Sequence, residues 1–270
     1  MAQLRSGLVS VTFRQLTPSE IITLMTRAGL DGIEWGGDVH VSHGDLAQAR
    51  QVRQQTIQAG LQCAAYGSYY RVGHDDTGPF ATVLATAIAL GAPSIRVWAG
   101  KQGSVNADAA YHTQVIEDSR RIASLATAAG LPIVYEFHAN TLTDSSTAAR
   151  SLLESVDHTN LKSYWQPPRG ASVEDNLAGL DAVLPWLHNV HVFNWHMTTG
   201  ARLPLHEGEQ AWLRYLAKVA TAQREQFAML EFVADDAPEN FLRDAATLKE
   251  WLAQVNQKYE GNNNANFVRE

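Results

Sequence analysis

The stretch RAGLDGIEW, residues 27–35, changes character at one residue. Before Gly29 the chain reads as an amphipathic helix. Ile21, Leu24, Met25 and Ala28 fall at helical spacing behind a capping box, Thr17-Pro18-Ser19-Glu20. After Gly29 comes a β-rich run over 32–36. Glycine suits the break because the residue after a helix often takes positive φ. The same punctuation returns in QAGLQCAAY (58–66), ALGAPSIRVW (89–98) and AAGLPIVYEF (128–137). Gly29, Gly60, Gly91 and Gly130 therefore recur every ~30 to 40 residues, the length of one βα unit.

Working outward from these marks, the pattern predicts eight strands, at 7–13, 32–36, 61–67, 94–99, 132–138, 161–165, 189–195 and 227–233. Helical stripes alternate with them, for example Phe80, Val83, Leu84, Ala87 and Ile88. Later stripes are Trp212, Tyr215, Leu216 and Val219, then Phe241, Ala245, Leu248 and Leu252. Strict β/α alternation implies a parallel sheet. Eight units in 270 residues favour closure, so the expected fold is α/β, a single (β/α)8 TIM barrel. It spans residues 1–258, followed by a polar, Asn-rich tail over 259–270. No glycine-rich phosphate fingerprint follows the first strand, where a dinucleotide-binding open sheet would carry one.

Composition narrows the function classes. A hydrophobic fraction of 45% with 18% charged residues is that of a globular protein with a sizeable core. A formal charge of −7 argues against nucleic acid as a partner, since phosphate binding needs a cationic surface. No apolar run approaches the ~20 residues of a membrane span, and the N-terminus lacks the features of a signal peptide. A cytoplasmic protein acting on a small molecule, with no membrane partner, is the expectation. The lone cysteine, Cys63, is read as a buried apolar residue.

The polar residues at the strand ends carry the chemistry. In such barrels catalytic groups sit at the C-terminal ends of strands. The fifth strand, PIVYEFH, places Val134, Glu136 and His138 on one face. The sixth, in LKSYWQPPRG (161–170), ends at Gln166 before two prolines. The seventh, NVHVFNWH, aligns His191, Phe193 and Trp195, and the eighth, FAMLEFV, holds Glu231 among apolar residues. Buried carboxylates require a positive partner. One option is an arginine such as Arg96. The other is a divalent cation, Mn²⁺, Mg²⁺, Co²⁺ or Zn²⁺, held by Glu136, Gln166, His191 and Glu231.

These residues resemble the xylose-isomerase-like TIM-barrel superfamily of sugar-phosphate isomerases and epimerases. The likeness rests on GIEW, VYEFHANT, SYWQPPRG, NVHVFNWH, LHEGEQAW and LEFV, and it extends over nearly the whole chain. In that family the fifth to eighth strands give Glu, Asp, His and Glu to one metal. The resemblance thus implies Glu136, His191 and Glu231 as ligands, with Gln166 standing where the family carries aspartate. His206 likewise replaces the first glycine of a Gly-Glu-Gly loop. Gln166 leaves the set one negative charge short. This implies weaker metal retention, a more electrophilic ion and less repulsion of an anionic substrate, or else a site that has lost its metal.

The implied activity is isomerisation or epimerisation of a sugar or sugar derivative. Glu136 and Glu231 would transfer the proton, and the metal would stabilise the enediolate. Glu34, Trp35, His40, Trp98, His138, Arg169, Trp195 and Arg202 are the expected substrate contacts. Arg71, Lys101, Arg169 and Arg202 on the mouth-side loops suggest an anionic substrate group, against the plainer reading of solvated surface charge. Two alternatives use the same pocket: a polyol or keto-inositol dehydratase, and a non-catalytic sugar-binding protein with a degenerate site. Apurinic-site endonucleases share the superfamily, but they need a histidine-rich multi-metal cluster and a basic surface that this chain lacks. Homo-oligomers are common among the relatives, which makes self-association an open expectation here.

Overall fold

The computed structural model describes residues 3–168, 170–196 and 198–267, with backbone alone from 259 onward. Eight parallel strands close into one barrel in sequence order. They are β1 Leu4–Val9, β2 Gly32–Gly36, β3 Gln62–Arg71, β4 Ile95–Trp98, β5 Ile133–Tyr135, β6 Leu161–Trp165, β7 Leu187–Val192 and β8 Gln226–Leu230. Closure is made by β1 on β8, with Leu4 opposite Gln226 and Leu8 opposite Leu230. The helices are α1 Pro18–Ala28, α2 Leu46–Gln58, α3 Phe80–Leu90, α4 Ala109–Thr127, α5 Ser146–Val156, α6 Val173–Val183, α7 Glu209–Ala220 and α8 Pro238–Phe267. The backbone of α8 thus continues into the Asn-rich stretch assigned to a tail from the sequence. Among the described residues, no helix is long and apolar enough to cross a membrane.

The local signals act as expected. Thr17 and Glu20 cap α1 reciprocally, with Pro18 in its first turn. Gly29 and Gly91 end α1 and α3 at φ 64° and 70°, a conformation costly for any residue with a Cβ. Most stripe residues named above are buried against the outside of the barrel. Ile88 is the exception: it is exposed, and Leu90 takes the inward place on α3.

The barrel interior is filled separately. Val9, Val134, Tyr164, Phe227 and Met229 pack together there. Room for the two large β8 residues comes from glycines on neighbouring strands. A Cβ on Gly32 would lie 2.5 Å from the Phe227 ring, and one on Gly7 2.7 Å from Met229. Large against small fills the taper without voids.

At the mouth, β3 runs on to Arg71, beyond its expected end at Gly67, and four other strands stop three or four residues short of the ends the periodicity predicts. The first strand stops at Val9 because Ser10 Oγ accepts the Gly36 N–H (2.9 Å) that a ladder carbonyl would otherwise take. The fifth, seventh and eighth stop at Tyr135, Val192 and Leu230, before their polar residues. One further backbone bond still anchors each glutamate: Glu136 N–H to Val97 C=O (3.1 Å) and Glu231 N–H to Val192 C=O (3.0 Å). Both carboxylates therefore leave a rigid ladder just where it opens to the cavity.

Candidate metal centre

A cavity of about 790 Å³ opens at the C-terminal mouth of the barrel. Its floor includes Glu136, Gln166 and Glu231. Its walls carry Tyr69, Trp98, His138, Phe193, Trp195 and Phe232. Period-two alternation puts the floor residues inside, with outward neighbours such as Trp165 packed on Trp212 and Tyr215 of α7.

Glu136, His191 and Glu231 each offer one ligand atom, and these atoms lie within 4.8 Å of one another. His191 Nδ1 is 3.4 Å from Glu231 Oε2 and 3.6 Å from Glu136 Oε1. Gln166 Oε1 lies 3.0 Å from the same nitrogen. The Gln166 amide is orientated from behind, because its Nε2–H donates to the Phe137 carbonyl at 2.7 Å. An aspartate could not make that donation. The glutamine thus presents a neutral oxygen to the cluster while tying β6 to the segment after β5.

A second buried charge group lies beneath. Arg96 donates from Nε to Glu34 Oε1 (2.6 Å) and from Nη1 to Glu136 Oε2, which also accepts from Trp98 Nε1. The arginine option is thus realised at one of the two carboxylates: Arg96 partners Glu136, while Glu231 has no arginine or lysine among its described ion-pair partners. Burial alone would push His191 down, but Glu231 and Glu34 beside it raise it to about 9. Burial likewise opposes ionisation of Glu34, yet Arg96 and then His191 pull it down to about 2. With the imidazole protonated, Glu34, Glu136, Glu231, Arg96 and His191 together carry a net negative charge. Three carboxylates, one arginine and a divalent ion over a neutral imidazole would be charge-balanced, so the donor set fits such an ion.

The expected substrate contacts divide. Trp98, His138 and Trp195 reach the cavity. His138 stacks on Trp98 with centroids 4.4 Å apart, and its Nδ1–H donates to Ala139 C=O (2.7 Å), leaving Nε2 as an acceptor. Burial holds His138 below its usual value, and therefore neutral at pH 7. Trp195 stacks on Phe193 at 4.5 Å.

Glu34 is fully enclosed under the floor and does not face the cavity. Trp35 and His40 are not brought to it either. Trp35 points outward, edge-on to His40, because its neighbour Glu34 takes the inward position. His40 is buried and held by Ser10 Oγ (2.9 Å) and Leu16 C=O (3.2 Å). Arg202 lies over the Phe232 ring and pairs with Asp236. Lys101 pairs with Asp76 at 2.8 Å, and Arg71 covers Trp98 at 4.3 Å. Arg169 lies outside the described residues.

Tyr69, Phe232 and Asp144 are among the cavity residues not singled out from the sequence. Tyr69 and Phe232 take φ of 56° and 57°, strained for aromatic residues, and both rings line the wall. Asp144 ties two mouth loops through the Ser104 N–H (2.9 Å), and its Oδ1 is buried without a hydrogen-bond partner. The one available signal was the Gly-Ser-Tyr-Tyr run at 67–70, which forms a β-bulge.

Comparison with known proteins agrees with this architecture. Residues 22–253 match the xylose isomerase-like TIM barrel family. A curated relative, the 3-dehydroshikimate dehydratase of Bacillus anthracis, is 29% identical over 106 residues. That match spans 37% of this chain and only 36% of the relative. The crystal structure of the probable 3-DHS dehydratase of Bacillus anthracis superposes with a TM-score of 0.76 at 20% identity, covering 91% of this chain and 99% of that one. A xylose isomerase-like TIM barrel protein from Mycobacterium smegmatis, solved in complex with magnesium, gives 0.74 at 14% identity, covering 94% and 99%. A D-allulose 3-epimerase from Methylomonas sp. gives 0.67 at 15% identity, covering 93% and 100%. At such identities the structural likeness speaks for the fold.

Proposed function

Because the chain belongs to the xylose isomerase-like TIM barrel family, we propose that it is a divalent-metal-dependent isomerase or epimerase of a small sugar or sugar derivative. The observation that carries this reading is the convergence of Glu136 and Glu231, at the floor of an aromatic-walled cavity, on the buried His191, with neutral His138 beside them. Glu136, His191, Glu231 and the Gln166 oxygen would hold the cation. When bound, it supplies Lewis-acid stabilisation of the negative charge that develops on substrate oxygens.

The chain's own residues do the rest. Glu231 is the carboxylate least committed elsewhere, and it takes the proton from the carbon next to the carbonyl. Glu136, with one oxygen held by Arg96 and Trp98, presents the other towards His191. Entering the turnover protonated, it gives that proton to the carbon from its side, and the proton taken by Glu231 leaves to solvent as Glu136 is reprotonated. His138 Nε2 accepts a substrate hydroxyl. The aromatic walls cover the C–H faces of the substrate and exclude water. In D₂O with Mn²⁺, a panel of ketoses should show deuterium at the carbon next to the carbonyl and new sugar signals by NMR. No exchange with any ketose or cyclic hydroxyketone would sink the proposal.

A second reading, dehydration, is favoured by one feature. The hold of Arg96 and Trp98 on Glu136 makes the two carboxylates unequal, which suits a single base with a separate proton donor to a leaving hydroxyl. The similarity to a 3-dehydroshikimate dehydratase points the same way. An enone absorbance appearing with a cyclic hydroxyketone, and no epimer, would decide for it.

A further inference from the structure

Resting on the metal reading above, we propose that Glu34 and Arg96 form a buried positioning layer for the metal ligands, admitted into the barrel by Gly67. Neither side chain meets substrate, since Glu34 is 0% and Arg96 1% exposed. Instead they reach two of the ligands from behind, Arg96 by a hydrogen bond to Glu136 and Glu34 by facing His191. Arg96, on β4, holds Glu136 Oε2 through Nη1, which leaves Oε1 as the oxygen turned to the cluster. Through Nε it holds Glu34 Oε1 on β2, two strands away.

The other Glu34 oxygen, Oε2, faces His191 Nε2 at 3.7 Å, and both atoms are buried without a hydrogen-bond partner. His191 turns Nδ1 to the ligand side. A metal on Nδ1 leaves the imidazole proton on Nε2, opposite the one carboxylate oxygen placed to accept it. A carboxylate behind a ligating histidine fixes its ring and tautomer. The bridge between β2 and β4 must cross β3, and at that point β3 offers a glycine. A Cβ on Gly67 would lie 2.6 Å from Arg96 Nη2 and 2.7 Å from Glu34 Oε1. Glu136, Arg96, Glu34 and His191 are thus one chain of contacts, in which Arg96 and Glu34 cancel each other's charge.

The test is Mn²⁺ affinity by competition with a chelating dye, together with the visible spectrum of the Co²⁺-loaded protein. Glu34→Gln and Gly67→Ala leave every proposed ligand in place. Both are expected to weaken Mn²⁺ binding by about 10- to 100-fold and to shift the Co²⁺ bands. If Glu34→Gln does not fold, Glu34→Gln/Arg96→Met removes both charges together and carries the same expectation. Folded variants that bind Mn²⁺ within about twofold of wild type, with an unchanged Co²⁺ spectrum, overturn the positioning layer alone. Wild-type protein that takes up neither ion overturns the proposed function and this inference with it.

Discussion

Mn²⁺ affinity should rise about tenfold for each pH unit between 6.5 and 9, because the ion and a proton compete for His191. The imidazole is enclosed, with Glu231, Glu136 and Glu34 oxygens at 3.4, 3.6 and 3.7 Å. Burial opposes its charge, but Glu231 and Glu34 more than offset that and raise it to about 9. At pH 7 the metal must therefore displace a proton held about two pH units above the solution, a penalty of about 100-fold, or about 3 kcal/mol. One proton should leave per ion bound.

The same shift fixes the sign of a stability effect. The folded value lies above the unfolded one of 6.5, so the metal-free protein gains about 3 kcal/mol that is fully present below pH 6.5. That gain fades as the pH rises through 9. Dye competition from pH 6.5 to 8.5, with calorimetry in two buffers of different ionisation heat, reads affinity and proton release. A flat affinity profile with no proton released would refute the reasoning.

Other expectations follow from single contacts. Gln166→Asp adds a charge to the ligand set and removes the donation to Phe137 C=O. It should tighten Mn²⁺ by about tenfold or more and cost the metal-free fold about 1 kcal/mol; unchanged affinity would contradict the role given to the neutral oxygen. Glu231→Gln should abolish solvent deuterium exchange into substrate while circular dichroism stays native, and persistent exchange would exclude Glu231 as the base. Gly32→Ala puts a methyl group 2.5 Å from the Phe227 ring and should lower stability by about 1–3 kcal/mol in urea unfolding. An unaltered midpoint would show that the interior layer yields more easily than its packing implies.

Much of the scaffold could be read from the chain because its signals are local. A glycine after each of several helices, a capping box and period-two alternation act within a few residues, and they placed β2 and β6 to the residue. The floor was legible for a related reason: a carboxylate in an apolar strand end is costly enough to stand out, as Glu136 and Glu231 did. What escaped depends on distance across the barrel. Arg96 and Glu34 lie 62 residues apart, and only closure of the sheet shows that one guanidinium bridges Glu34 and Glu136. Trp35 was open to the alternation rule, since an inward Glu34 forces it outward, but its aromatic character suggested the pocket instead. His40 needed its loop conformation, fixed by Ser10 and Leu16, and Tyr69 and Phe232 owe their aim to left-handed backbone that no spacing rule anticipates.

The most direct test of the account is the Mn²⁺ stoichiometry of the purified protein by electron paramagnetic resonance, for wild type and for Glu136→Gln/Glu231→Gln. If the carboxylates of β5 and β8 converge on a single cation, wild type binds one ion per chain and the double variant none. Wild-type protein that takes up no Mn²⁺, or a double variant that binds it as well as wild type, would contradict that claim.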